Sequence, residues 1–521
     1  MTSDARTSQP DAAARRSLAG QVRIHRERRW AWSVRTGYAR RLLAELTAAF
    51  TGSAPLSAAA IILFLALPQL YLFPRGTIDI ALTTLVTALL LPGLLVGARR
   101  GLGVPVVRLG LFRVLLGLLA IRLLALAWSP DPRAGLQPIV LLGQFAVTLL
   151  LISAAARQDP DALRKLQRVY WPWVAVEAGL VVLFRLLPGV EHMFLQTVGG
   201  FFAGQNTVAA LFGEHGNNVV DPAKSGGVFV NANVAAMFLG VNGLAALAVS
   251  AVTRTRWVRV VGVAALVAIL FTGSKSATIL ALVLPAAAYG IVRMRRSPRA
   301  TLRWQVLVPA GSAVAALLAL LVAVTGLLHP LLEAFITRTA IWAFGAESFR
   351  HHPVLGLGYG GWQAGFARYA ASHHLNQNFP PHNVLLAAWA TTGIAGLVLT
   401  VMFFAFSIKL FVRAPLGGVT FAACGGAAVA WILIQGMGEN TDVFGEIHLI
   451  PVVALLVGYL TRYLGEETKS SAGSARRRDS QAPTVPAVRA VHHQPGPGVT
   501  QVSAVVRRSG PGADQGGSLD G

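Results

Sequence analysis

The sequence predicts an all-α polytopic membrane protein with about twelve transmembrane helices and a large external loop between the ninth and tenth spans. Three observations predict it. Apolar residues make up 54% of the 521 residues and charged residues only 13%, with a mean hydropathy of +0.58; this is the composition of a helix bundle in lipid. Apolar runs of spanning length recur along most of the chain. Arg and Lys collect in the tails and in alternate short loops, the pattern that orients a protein in a bilayer. The net charge of +23 therefore reads as topology, and no nucleic-acid partner is expected.

Taken in order, residues 1–53 read as a basic cytoplasmic arm, mostly disordered, ending in a short interfacial helix over Leu42 to Phe50. Arginines from Arg15 to Arg41 precede any long apolar run, so no cleavable signal peptide of ordinary form is expected and the first span directs insertion. Spans are expected near 54–73, 77–97, 109–127, 134–156, 170–187, 228–252, 257–271, 276–293, 305–328, 383–411, 418–436 and 446–464. The single cysteine, Cys424, lies in one of them; it excludes an intramolecular disulfide and reads as a small packing residue.

With the N-terminus inside, the inside loops carry Arg99, Arg100 and Arg108, then Arg157, Arg164, Lys165 and Arg168, then Arg254 and Arg256, then Arg293, Arg295, Arg296 and Arg299, then Arg413. This alternation supports an even count. It places both termini on the cytoplasmic side of the cell membrane. Two external segments are long, 188–227 and 329–382. The second opens with a stretch of helical spacing from Leu332 to Phe344, expected to lie along the bilayer surface with Arg338 and Trp342 on one face. From 465 to 521 the tail is rich in Ser, Gly, Pro and Arg and is expected to be disordered.

This topology gathers the chemistry at the external face: Lys224, Lys275, Arg338, His352, His382, Glu439 and Asp442. Any one of these cations alone reads as an anchor for a span end. Cations at the mouths of four spans together suggest a pocket for a polyanion, most economically a diphosphate. His382 precedes Asn383, a good N-cap for the tenth span, so its imidazole sits where the helix dipole disfavours protonation and a neutral base is available. The competing reading is an interfacial histidine bonded to a loop carbonyl.

The run Gly356-Leu357-Gly358-Tyr359-Gly360-Gly361 has GxGxxG spacing, but no strand precedes it; a tight external turn is expected in place of a dinucleotide site. Its backbone amides could also approach a sugar or phosphate. His351 and His352 lack a carboxylate partner at ligand spacing, so no metal site is expected. Within spans, Arg113, Arg122, Glu177 and Arg185 are costly in lipid and are expected to face the interior. Arg122 and Arg185 fall toward the outer ends, where either pairs with Glu177 or lines the path of a lipid diphosphate.

Four segments carry a resemblance: KSGGVFVNANVAAMFL (224–239), FTGSKSATILAL (271–282), RTAIWAFGAESFRHHPVLGLGYGGW (338–362) and HNVLLAAWATTGIAGL (382–397). In order and spacing they resemble the O-antigen ligase and polymerase superfamily of bacterial envelope glycosyltransferases, over roughly residues 55–464. The resemblance implies a transmembrane glycosyltransferase domain over 54–464. It implies transfer of a glycan from undecaprenyl diphosphate to a hydroxyl of a lipid or glycan acceptor at the outer membrane face, independent of metal and cofactor and inverting at the anomeric carbon. Membrane lipids are the other partners.

The family's functional residues would fall on His382 as base and on Arg338 and Lys275 as cations. Lys224, Asn233, Arg122, Trp342, His352, Gly358, Tyr359 and Asn383 are expected to contact substrate. Lys275 and Lys224 stand where the family commonly has Arg; a lysine neutralises phosphate as a point charge without the planar bidentate contact. Trp342, Tyr359 and Trp362 either stack on sugars or belong to an interfacial belt. Ligase and polymerase readings both remain open. A transporter for lipid-linked sugars would call for internal repeats, and no convincing halves are present. Tags at both termini are expected to report the cytoplasm and a tag at Ser372 the exterior, measured by accessibility to an impermeant label in intact cells; a protected Ser372 tag would overturn the assembled site.

Overall fold

The computed structural model describes residues 40–461 apart from 42, 53, 68–69, 73–79, 100–105, 107–108, 213–217, 297–310, 312–327, 374, 413–417 and 440–443. The basic arm to residue 39, the tail, nearly all of the expected ninth span and Asp442 lie outside the described residues. The chain divides into two units, 1–469 and 470–521, and the second falls wholly outside them.

The described elements are helical, as the apolar periodicity requires, with one isolated antiparallel bridge between Tyr71 and Ala81. After a helix at Leu43–Phe50, bent by 101° from the next, come α1 (Pro55–Phe64), α2 (Leu82–Arg99), α3 (Gly110–Ala125), α4 (Leu136–Gln158) and α5 (Ala162–Leu186). The segment expected to be an external loop from 188 instead opens with α6 (Pro188–Phe194), a π-helical turn, and α7 (Gln205–Leu211). Then follow α8 (Ala232–Thr253), α9 (Arg256–Thr272), α10 (Lys275–Arg296), α11 (Leu328–His351), α12 (Gly361–Ser372), α13 (Val384–Val412), α14 (Gly418–Gly436) and α15 (Ile450–Thr461).

Among the described residues seven helices are long and apolar enough to cross a membrane, or eight if the bent pair is one span. The sequence led us to expect about twelve. The difference has identifiable sources: α2 and α15 are shorter apolar helices, α9 has 17 residues, and the 305–328 range is nearly all outside the described residues. The surface helix expected from Leu332 runs from Leu328 to His351.

Helix α8 is almost wholly buried, because its small residues admit close neighbours. Gly240 packs on the Trp431 ring of α14, and Gly243 on Gly262 and Leu266 of α9. An edge-on trio, Phe145, Phe403 and Phe444, with centroids 4.8 to 5.9 Å apart, joins α4 to α13 and the chain after α14. Of the four intramembrane charges, Glu177 is fully buried as expected, whereas Arg113 is exposed. Arg113 lies in the first turn of α3, where its long stem can carry the guanidinium to the interface. Neither arginine pairs with Glu177: Arg122 donates to the Pro138 carbonyl at 3.3 Å and Arg185 to that of Pro222, while Glu177 accepts from the Val228 amide at 3.1 Å.

The segment from α11 to the start of α13 has its own apolar core, in which Ile341, Trp362, Phe366, Ala370, Trp389 and Ala390 are buried together. Its seat is a break in α13 at Gly393 (φ 69°, ψ −164°), a conformation open to glycine alone. The freed backbone is re-satisfied by the 353–357 turn: Ile394 donates to the Val354 carbonyl at 3.1 Å and Leu357 to the Ala390 carbonyl at 2.7 Å. The Trp389 indole adds a bond to the Pro353 carbonyl at 3.2 Å. A Cβ on Gly393 would sit 1.9 Å from the Val354 oxygen. Gly393→Ala is therefore expected to destabilise the purified protein by about 2 kcal/mol or more in thermal unfolding. Gly143→Ala, whose added methyl meets nothing within 4 Å in the interior of α4, should cost no stability and raise it by up to ~1 kcal/mol.

Candidate functional site

Four chain segments meet at one buried carboxylate, Glu439, three residues beyond the end of α14. From α11, Arg338 donates through Nη2 to Glu439 Oε1 at 2.8 Å and through Nε to the Gly438 carbonyl at 2.6 Å. From the first turn of α8, the Asn233 side chain hydrogen-bonds Glu439, while the Asn233 carbonyl accepts from Gln435 of α14 at 2.9 Å. From the entry to α13, His382 Nδ1 stands 4.0 Å from Glu439 Oε2. Burial pushes the Glu439 carboxyl up, and the charge and hydrogen bond of Arg338, the Asn233 bond and the charge of Lys224 pull against it.

Local sequence explains each arrival. Arg338 and Trp342 share a face of α11, so as Arg338 reaches Glu439 the Trp342 indole reaches the Pro381 carbonyl, 3.2 Å away and next to His382. Asn383 caps α13, its Oδ1 accepting from the Leu385 and Leu386 amides at 2.9 and 3.1 Å. This fixes His382 just outside the helix in a left-handed conformation (φ 47°), uncommon for a side chain with a Cβ. The ring packs edge-on to Phe379 at 5.8 Å, and Nδ1 is buried with no hydrogen bond. Burial first and the Arg338 charge second hold the imidazole down at about 4. The group is neutral, as its place at a helix start suggested, but for these two reasons more than for the dipole, and it titrates well below the ordinary histidine range.

The two lysines lie on a neighbouring rim. Lys224 is held 3.7 Å from Asp221, and the Gly273 corner that leads into α10 packs on Ala223 and Lys224. Lys275, exposed at the first position of α10, is linked to the cluster through this corner. His352 is not brought in. It is exposed just past the far end of α11, about 21 Å along the helix axis from Arg338.

Arg122, Gly358 and Tyr359 meet elsewhere, around a cavity of about 540 Å3 that Trp362, Pro381 and Phe444 also line. Pro381 adjoins His382, so the cavity lies beside the cluster. Arg122 stands over the Phe444 ring at 5.4 Å. The glycine run is the tight turn expected of it, with positive φ at Gly356, Gly358 and Gly360 and Tyr359 tied by its amide to Ser129 Oγ at 2.8 Å. Trp362 is buried against Phe344 and Phe366 and donates to the Phe379 carbonyl at 3.0 Å, which makes it a packing residue of the loop. Among the described residues no three His, Cys, Asp or Glu side chains stand where they could hold a metal ion.

Glu439 is marked in the sequence as one of several charges expected at the external face and, with Asp442, as the next candidate for the base after His382. Its pairing with Arg338, 101 residues away, has no local signal, and the one available clue is a carboxylate at the external end of an apolar span. Chemically the cluster presents a neutral imidazole beside a carboxylate, with cations flanking both.

No curated protein matches the chain. Residues 260–401, running from within α9 into α13, match the family described as O-Antigen ligase, and the similarity of this chain to that family rests on that segment.

Proposed function

We propose that the chain is an O-antigen ligase-like glycosyltransferase. It would move a glycan from undecaprenyl diphosphate to an acceptor hydroxyl at the outer face of the cytoplasmic membrane, with twelve spans and both termini inside. The supporting observation is the meeting of Arg338, Asn233 and His382 at Glu439, with Lys224 near enough to act on the same carboxyl.

In this reading the diphosphate is held by Arg338, Lys275 and Lys224, since a lipid diphosphate leaves as a stabilised anion and needs cations more than a proton. His382 takes the proton of the acceptor hydroxyl as its oxygen forms the new bond to the anomeric carbon. The bond from that carbon to the diphosphate oxygen breaks on the opposite face, which inverts the centre and calls for no metal. Glu439, 4.0 Å from Nδ1, then faces the imidazolium. The donor also prepares the base: its negative charge offsets that of Arg338, the second cause of the low His382 basicity, so His382 becomes a stronger base once donor is bound. The cavity beside the cluster, with Arg122, Gly358 and Tyr359 on its wall, offers room for sugar residues of donor or acceptor.

Purified protein incubated with a lipid-linked oligosaccharide and a separate acceptor is expected to yield capped acceptor; longer lipid-linked chains would identify a polymerase, and no transfer would overturn the reading. His382→Ala should lower turnover by ~10²-fold or more with donor binding nearly intact. In the free enzyme the neutral imidazole persists through pH 6.5, so kcat/KM should fall only as pH drops toward about 4, and kcat, reporting the donor complex, at higher pH. A His382→Ala protein that keeps both limbs would remove His382 as the base.

Lys275→Arg should retain activity and Lys275→Ala lose much of it, because only the second removes the charge. Equal turnover in all three proteins would take Lys275 out of the site.

A further inference from the structure

The segment between Asp221 and Asn231 enters the bundle. Ser225, Gly226, Gly227, Val228 and Phe229 are all buried, although they belong to no helix of their own. A buried irregular backbone at membrane depth must satisfy its N–H groups by some other route. Here two acids do so. Glu191 of α6, 1% exposed, accepts from the Gly226 amide at 2.8 Å, and Glu177 of α5, 0% exposed, accepts from the Val228 amide at 3.1 Å. Arg185 holds the Pro222 carbonyl, and the Ser225 amide donates to Thr272 at 3.2 Å, just before the corner that leads to Lys275.

The fit is close. Gly227 has φ +59°, and a Cβ there would lie 2.2 Å from Glu177 Oε1. Lys224 stands at the outer end of this clamped segment, two residues from the amide that Glu191 holds. The proposed chemistry uses neither acid, yet an acid buried in a membrane protein is costly unless it has work to do.

We propose that Glu191, with Glu177 behind it, is a positioning residue that sets the place of the Lys224 ammonium by anchoring the buried backbone on which Lys224 stands. The role rests on the donor-site reading of Lys224, and the test separates the two. Glu191→Gln keeps an oxygen that can accept from Gly226, whereas Glu191→Ala leaves that amide buried and unpaired.

Two readouts are needed on the full-length protein in detergent. The first is the labelling rate of Lys224 by an amine-reactive reagent with no donor present, resolved by mass spectrometry and referenced to the exposed Lys165. Glu191→Ala is expected to change this rate severalfold and Glu191→Gln to restore it. The second is steady-state kinetics: Glu191→Ala should raise the donor KM by about tenfold with kcat little altered, and should add nothing in a Lys224→Gln background.

Should Glu191→Ala fail to fold, Gly227→Ala displaces the same segment from the Glu177 side and should show the same two effects. Unchanged Lys224 labelling, failure of Gln to restore it, or a KM effect fully additive with Lys224→Gln would overturn the proposal. Altered labelling with a donor KM indifferent to Lys224→Gln would uphold the positioning and overturn Lys224 as a donor contact.

Discussion

The arrangement of the candidate site depends on one ion pair, Arg338 to Glu439. Neither group is stable there alone: the carboxylate is buried and pushed toward its neutral form, and the guanidinium is three-quarters withdrawn from solvent. Together they pin α11 to the end of α14, and the bond from Arg338 to the Gly438 carbonyl fixes the guanidinium plane. The Glu439 carboxylate then orders its own surroundings, facing Asn233 of α8 on one side and His382 at the mouth of α13 on the other. The pair also gives the arginine two roles that compete. A diphosphate drawing Arg338 toward itself loosens the hold on Glu439 at the moment that His382 has use for a carboxylate neighbour.

Much of this was legible in the chain and the remainder was not, for reasons that differ by residue. Helix positions follow from apolar runs, and the Asn383 cap follows from a polar residue at the head of such a run. Arg338 and Trp342 act together because a spacing of four is a local property of a helix. His352 illustrates the opposite case: near His382 in the loop as written, it is carried away from Arg338 by nearly four turns of rigid α11. The stretch from Asp221 to Gly227 reads as the end of an outside loop because it is polar and glycine-rich, and only the acids of α5 and α6 reveal that its last residues are buried. Pairings across a hundred residues leave no periodicity to detect.

The two lysines fit the same logic of division. Arg338, with a fixed fork, has carbonyl and carboxylate partners that set its orientation. Lys224 and Lys275, as compact charges on flexible stems, need their backbone placed and little else, and each sits at a backbone feature that does this: a clamped buried turn for one and a glycine corner with the start of α10 for the other.

The break at Gly393 has a consequence for how the protein is made. The turn that fills it, residues 353–357, leaves the ribosome some forty residues ahead of the break it completes. Until α13 emerges, Val354 and Leu357 have nothing to bond. When it does, the outer part of that helix cannot become a regular span, because Gly393 leaves backbone groups that only the waiting turn can satisfy. Docking of the 353–357 turn and completion of α13 are thus one event, later in synthesis than the turn itself and unavailable to a chain cut short before Gly393.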